Sequence, residues 1–213
     1  MITARPLPVG TALSCHRTVA YAPAMDSKPE DSALMLRYRD GDAEAFETLY
    51  RRHNDSLYRY LLRLCRHRDT AEDLFQEVWG KIIKTRERYR PTAKFTTFLY
   101  RVAHNCFVDH LRRNKRHAQT VDIDPDTQCA TGPDADAETE RSLMRRRLQA
   151  ALRNLPEEQR DVFLLFEEAD LSLDEIARVT GVNRETAKSR LRYAIKKLKS
   201  AIGAEIAGSV EPT

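Results

Sequence analysis

Along the chain, apolar residues recur at helical intervals, and no segment alternates with the period of two that a half-buried strand needs. From Asp42 onward, Phe46, Leu49, Tyr50, His53, Leu57, Tyr60, Leu61 and Leu64 mark one stripe, which predicts a helix of about six turns. The chain restarts at Asp69. Leu74, Phe75, Val78, Trp79, Ile82 and Ile83 then form an apolar face, with Asp73, Glu77, Lys81 and Lys84 opposite and Gln76 at the border. After Pro91 a third helix is predicted from about Phe95 to Arg116, burying Phe98, Leu99, Val102, Ala103 and Cys106. Its other side carries Arg101, Asn105, Asp109, Arg112 and Arg116 at near four-residue spacing. A second block opens with Leu143, Leu148, Ala151, Leu152 and Leu155. Pro156 then starts a helix whose Val162, Phe163, Leu164 and Phe166 are expected to form a core with the segment that follows.

That segment, Ser172 to Leu198, has start, turn and stop signals for two short helices set at an angle. Ser172 and Glu175 have the Ser-x-x-Glu spacing of a capping box, and Gly181, four residues beyond Ala177, supplies the positive φ that a tight turn requires. Asn183 is a good N-cap for the second helix. Ala187, Leu191, Ala194, Ile195 and Leu198 share its inward face. Glu185, Ser189, Arg192 and Lys196 lie opposite, flanked by Arg184, Lys188, Arg190 and Tyr193. A basic, hydrogen-bonding helix of this kind suits a major groove. Basic residues near a helix C-terminus also solvate any exposed face. Here they begin in the first turns and accompany a capping box and a glycine turn, which together favour DNA binding.

Between the blocks, Ala118 to Glu140 contains no Lys or Arg, while Asp122, Asp124, Asp126, Asp134, Asp136, Glu138 and Glu140 accumulate beside Pro125, Gly132 and Pro133. This is linker composition. The chain therefore divides into a flexible extension (1–30), a first helical domain (31–116), an acidic linker (117–140), a second domain (141–203) and a tail (204–213). The extension has four prolines and no amphipathic period, so Met25 or Met35 could be the biological start. The 213 residues are 41% hydrophobic, enough for two small cores, and the net charge of +4 understates a strong segregation of acids from bases. Cys15, Cys65, Cys106 and Cys129 have neither disulfide-framework nor zinc-ligand spacing, so no metal or other cofactor is expected and a reducing, cytoplasmic setting fits. No apolar run reaches the length of a membrane span, and neither membrane insertion nor secretion is indicated.

Three stretches, AEDLFQEVWGKI at 71–82, FTTFLYRVAHNCFVDHLRR at 95–113 and the run from Leu155 to Leu198, resemble the extracytoplasmic-function sigma factors of bacterial RNA polymerase. The resemblance covers roughly Asp31 to Arg116 and Ser142 to Ile202. It implies an all-α fold in two small domains, sigma region 2 and sigma region 4. It further implies a protein without catalytic residues that joins core polymerase at the clamp and flap, finds promoters through their −35 and −10 elements, and helps separate the strands. Carried over position by position, Asp73, Gln76 and Glu77 are implied to meet the polymerase clamp. Arg101, Asn105, Asp109, Arg112, Arg113 and Arg116 are implied at the −10 element, with Lys115 extending the same basic end. Arg184, Lys188, Ser189, Arg190, Arg192 and Tyr193 are implied at the −35 duplex. The chain departs from the usual pattern at Phe98, commonly Trp, at Ala187, commonly Val, and at Tyr193, commonly basic. Packing is the expected role of Phe98. Such proteins are commonly restrained by an anti-sigma partner, and their linker threads the polymerase cleft. About 22 linker residues could reach roughly 70 Å, comparable with the separation of two elements two duplex turns apart.

Two other functions can be weighed against this. A polymerase-independent repressor or activator would use the helix-turn-helix but leave the first two stretches without a purpose. An enzyme would need ligands such as His104, Asp109 and His110. His104 and Asp109 are five residues apart, not one turn, and no second cluster completes a site.

Overall fold

The computed structural model describes residues 30–118 and 140–208; most of the extension, the body of the acidic linker and the end of the tail lie outside them. Among the described residues there are eight α-helices and no strand. They are α1 (Asp31–Arg39), α2 (Ala43–Cys65), α3 (Arg68–Thr85), α4 (Phe95–Ala118), α5 (Glu140–Arg153), α6 (Glu157–Glu167), α7 (Leu173–Thr180) and α8 (Arg184–Gly208), with a 3-10 turn over Arg86–Arg88. This is the all-helical fold that the periodicity implies.

The long α2 starts where Asp42 accepts a hydrogen bond from the Ala45 amide (3.1 Å), and it stops at Arg66, whose φ of 68° takes the chain out of the helix. Its stripe is buried at Leu49, His53, Leu57, Tyr60, Leu61 and Leu64. Tyr50 is an exception at 36% exposed: it sits between Phe75 and Trp79 at the rim of an aromatic group. Helix α1, which the stripes do not outline as a separate element, buries only the adjacent Leu34 and Met35. Its Asp31 is tied to α2, accepting from Arg52 (2.6 Å) and lying 2.7 Å from His53 Nε2, which gives the buried His53 a polar partner. Helices α3 and α4 complete this first module with Leu74, Val78, Trp79 and Ile82 facing Phe95, Leu99, Ala103 and Cys106. Each such aliphatic side chain removed from water contributes about 1.5–3 kcal/mol. Ile83, read as inward, is 38% exposed at the far edge of the apolar face.

In the second module Pro156 caps α6, which buries Val162, Leu164 and Leu165. Phe166 is 41% exposed, because it falls in the last turn of a helix that ends at Glu167. Ala151, Leu152 and Leu155 pack with Ala194 and Leu198, joining α5 to α8. Helix α8 runs to Gly208, past the end expected at Gly203. The two modules touch: α6 packs on α2 and α7 on α4, and one apolar cluster runs from Leu34 through Tyr60 and Tyr100 to Leu165, Ile176 and Leu191.

Candidate functional site

The helix-turn-helix is built as its spacing predicts. Ser172 Oγ accepts from the Glu175 amide (3.4 Å), while Glu175 Oε2 accepts from the Ser172 amide (2.9 Å) and hydroxyl (2.7 Å). Burial pushes the Glu175 carboxyl upward, but these Ser172 donors together with Lys94 outweigh it and hold the group below the usual glutamate range. Gly181 turns the chain with φ of +70°; a Cβ there would meet open space, so conformation rather than room demands glycine. Asn183 Oδ1 accepts from the Thr186 amide (2.7 Å) and starts α8.

On α8 the inward residues Ala187, Leu191, Ala194 and Leu198 are buried, leaving Arg184, Lys188, Arg192 and Tyr193 exposed and Ser189 half-buried. Arg184 reaches across the turn to Asp174 (3.1 Å), and Lys188 lies 3.9 Å from Glu185. The Arg192 guanidinium stands over the Tyr193 ring at 5.2 Å, and Tyr193 is 49% exposed. An arginine stacked on an aromatic face is held in one orientation, favouring a bidentate contact. Arg190 differs from the others: it turns to the flank, pairs with Glu158 at the start of α6 and is half-buried.

Helix α4 presents Arg101, Asn105, Asp109, Arg112 and Arg116 to solvent as the spacing predicts, and Arg113 is exposed beside them. Asp109 and Arg112 form a long ion pair (3.7 Å), and Arg116 Nε donates to the Arg112 carbonyl (3.2 Å). Arg113 leans to α3, where Nη2 is 3.4 Å from Glu77. Glu77 also pairs with Lys81 (2.8 Å), whose ammonium lies 3.3 Å from Cys106 Sγ. Burial opposes ionisation of Glu77, but Lys81 and Arg113 outweigh it and lower its pKa. The structure thus joins Glu77, which the resemblance implies at the polymerase clamp, to Arg113, which it implies at the −10 element. Asp73 and Gln76 stay exposed on the same side of α3.

One feature escaped the stripes. Arg88, Tyr89 and Arg90, in the segment entering α4, line an open cleft with Thr85 and Phe98. The Tyr89 and Phe98 rings meet edge to face at 5.2 Å. Phe98 does pack, as expected, but it also forms the cleft wall. The signal was present in RERYR at 86–90, a basic run around one aromatic. Aromatic walls with a cationic rim suit an unpaired base and its phosphate. A second cleft, lined by His104, Asn105, Asp109 and Arg112 of α4, also takes in Glu158, Asp161 and Arg190 of the other module. His104 has a neighbour of its own there, Asp161 at 2.8 Å, and among the described residues no group of three or more His, Cys, Asp or Glu gathers around a metal-sized space. No helix among them is long and apolar enough to cross a membrane.

Comparison with known proteins gives both modules a setting. Residues 49–117 match the family described as Sigma-70 region 2, and residues 145–198 match that described as Sigma-70, region 4. Over 169 residues the chain is 32% identical to the RNA polymerase sigma factor CarQ of Myxococcus xanthus, spanning 79% of this chain and 95% of that protein. Over 191 residues it is 29% identical to the ECF RNA polymerase sigma factor SigM of Mycobacterium tuberculosis, spanning 87% and 93%. Among solved structures, the sigma factor RpoE of Bartonella quintana, in complex with the anti-sigma factor NepR, superposes with a TM-score of 0.66 at 21% identity, covering 76% of this chain and 98% of that one. CnrH in complex with the cytosolic domain of CnrY gives 0.62 at 21% identity, covering 82% and 97%. At such identities these two structures speak for the fold alone.

Proposed function

The chain belongs to the extracytoplasmic-function sigma factors of bacterial RNA polymerase, and on that footing we propose that it binds core polymerase, carries it to promoters through a −35 and a −10 element and promotes strand opening. The observation that carries this reading is the pairing, in one chain, of a capped helix-turn-helix with a separate helix whose solvent side is a row of polar and basic residues. A lone duplex reader has no use for the second.

In this reading α8 enters the −35 major groove, with Lys188, Ser189, Arg192 and Tyr193 at base edges or phosphates and Arg184 at the helix start. Arg190 exchanges Glu158 for a backbone phosphate. Along α4, Arg101, Asn105, Asp109, Arg112, Arg113 and Arg116 follow the displaced −10 strand, and the Arg88, Arg90 and Phe98 cleft receives a base taken out of the stack. Asp73, Gln76 and Glu77 offer acceptors to a basic clamp helix of the largest subunit, and the second module meets the flap. The domain limits 31–116 and 141–203, the acidic linker between them and its path through the polymerase cleft belong to the same proposal. No covalent step is assigned to this chain, and it needs no cofactor; polymerase makes the RNA. RpoE was captured with the anti-sigma factor NepR and CnrH with the cytosolic domain of CnrY, and sequestration by an anti-sigma partner in the cytoplasm is the regulation we propose here.

Run-off transcription with purified core polymerase and mapped promoters tests the proposal. Initiation should depend on the protein and vanish on a scrambled −35 or −10 element. Specific duplex binding without any association with core polymerase would instead make the chain a polymerase-independent regulator.

A further inference from the structure

The cations along the first turns of α8 are not held alike. Arg184 pairs with Asp174 (3.1 Å) and lies 3.6 Å from Glu185. Lys188 lies 3.9 Å from the same Glu185, and Arg190 is bonded to Glu158. Arg192 has no carboxylate partner among the described residues; its guanidinium stands over the Tyr193 ring, 5.2 Å from the centroid.

Helix geometry does not produce that contact by itself. Successive side chains leave a helix about 100° apart, so adjacent residues do not face each other. The Arg192 side chain therefore bends along the helix surface to reach the ring, although Arg192 is exposed and Tyr193 is 49% exposed. At an exposed site such a cation–π contact favours one orientation by a factor on the order of two to five.

The contact also leaves the chemistry of the arginine intact. A ring engages the face of the guanidinium plane, while the N–H donors lie in the plane and point from its edge. The charge of Arg192 is not offset by an acid, and its planar fork is aimed before any ligand arrives. A fork of this shape matches the O6 and N7 acceptors that guanine shows in the major groove. A phosphate accepts a fork too, but Arg192 lies with Glu185, Ser189 and Lys196 opposite the buried Ala187, Leu191 and Ala194. With α8 in a groove, that side faces the base edges, and the flanks face the phosphates.

We propose that Arg192 reads a guanine in the −35 duplex and that Tyr193 is the positioning residue that sets the guanidinium for that base. Together they determine one base pair of promoter choice. This assignment rests on the reading in which α8 enters the −35 major groove.

The test is a selection from promoters randomised across the −35 element, made by the full chain with core polymerase and by the full chain alone. Wild type should enrich guanine at one position about tenfold or more, the scale of a good bidentate contact. Arg192→Ala should erase that preference while the other positions keep theirs. Tyr193→Phe, which retains the ring, should retain the preference, and Tyr193→Leu should weaken it about two- to fivefold at that position alone. Preferences kept elsewhere show that each variant is folded. Even weakening across all sequences in Arg192→Ala, as loss of a phosphate contact gives, overturns the assignment, and so does loss of a preference for any base but guanine. Tyr193→Leu that matches wild type, or that loses every preference, overturns the role of the ring. If the chain never joins core polymerase yet alone selects a guanine that depends on Arg192, the sigma-factor reading fails and the assignment stands. If wild type joins core polymerase but selects no base at the −35 element, the assignment falls and polymerase binding survives.

Discussion

Gly181 holds φ at +70° between α7 and α8 with open space where a side chain would begin. Gly181→Ala therefore meets no neighbour yet forces an L-residue into the left-handed region, and a loss of about 1 kcal/mol or more is expected in thermal denaturation. Glu175 acts at the same turn. Its carboxyl is held below the range of about 4.3 typical of an unfolded chain. A depressed folded pKa gives stability that is present above the unfolded value and is lost as pH falls through the folded one. The melting temperature should accordingly drop on acidification below about pH 4, and Glu175→Gln, with nothing to titrate, should show a shallower drop. Sequence alone exposed both residues through the capping box and the glycine turn. It did not expose Asp161 or Arg160, since a charged residue in an apolar helix reads as solvated until its partner, Tyr60 for Asp161, is known.

Helix by helix, α2, α3 and α4 could be drawn from periodicity because each packs one apolar stripe inward. The short α1 could not, since two adjacent buried residues have no period, and Tyr50, Ile83 and Phe166 were read as inward although they lie at rims or ends. On α8, Lys188→Ala or Arg192→Ala should cost about 1–3 kcal/mol in −35 duplex binding if the residue reads a base. If it touches only phosphate, the salt dependence of binding should instead flatten by about one unit. Titrations of matched and scrambled duplexes at several salt concentrations separate the two. On α3, Asp73→Arg reverses an exposed charge. It should leave folding unchanged while weakening core polymerase binding at least about tenfold, on the scale of a like-charge contact at an interface, measured by competition with the unaltered chain.

Across the molecule, 21 residues separate the end of α4 at Ala118 from the start of α5 at Glu140. At full extension they allow about 70 Å. Deleting about eight of them should abolish initiation at promoters with standard element spacing, while binding of each module to its own element persists; run-off assays beside single-element titrations would reveal the split. The modules' mutual contact was illegible in the sequence, for Tyr60 and Asp161 stand 101 positions apart and belong to different periodic blocks. The loose bond of Arg113 to Glu77, 3.4 Å long and half open to water, bears on timing. Such a bond is weak, and a rival cation can replace the arginine at little expense. In the proposed function, polymerase taking hold of the glutamate would release the guanidinium for the parting strand. Recruitment and melting would then be wired in series, with the first step arming the second.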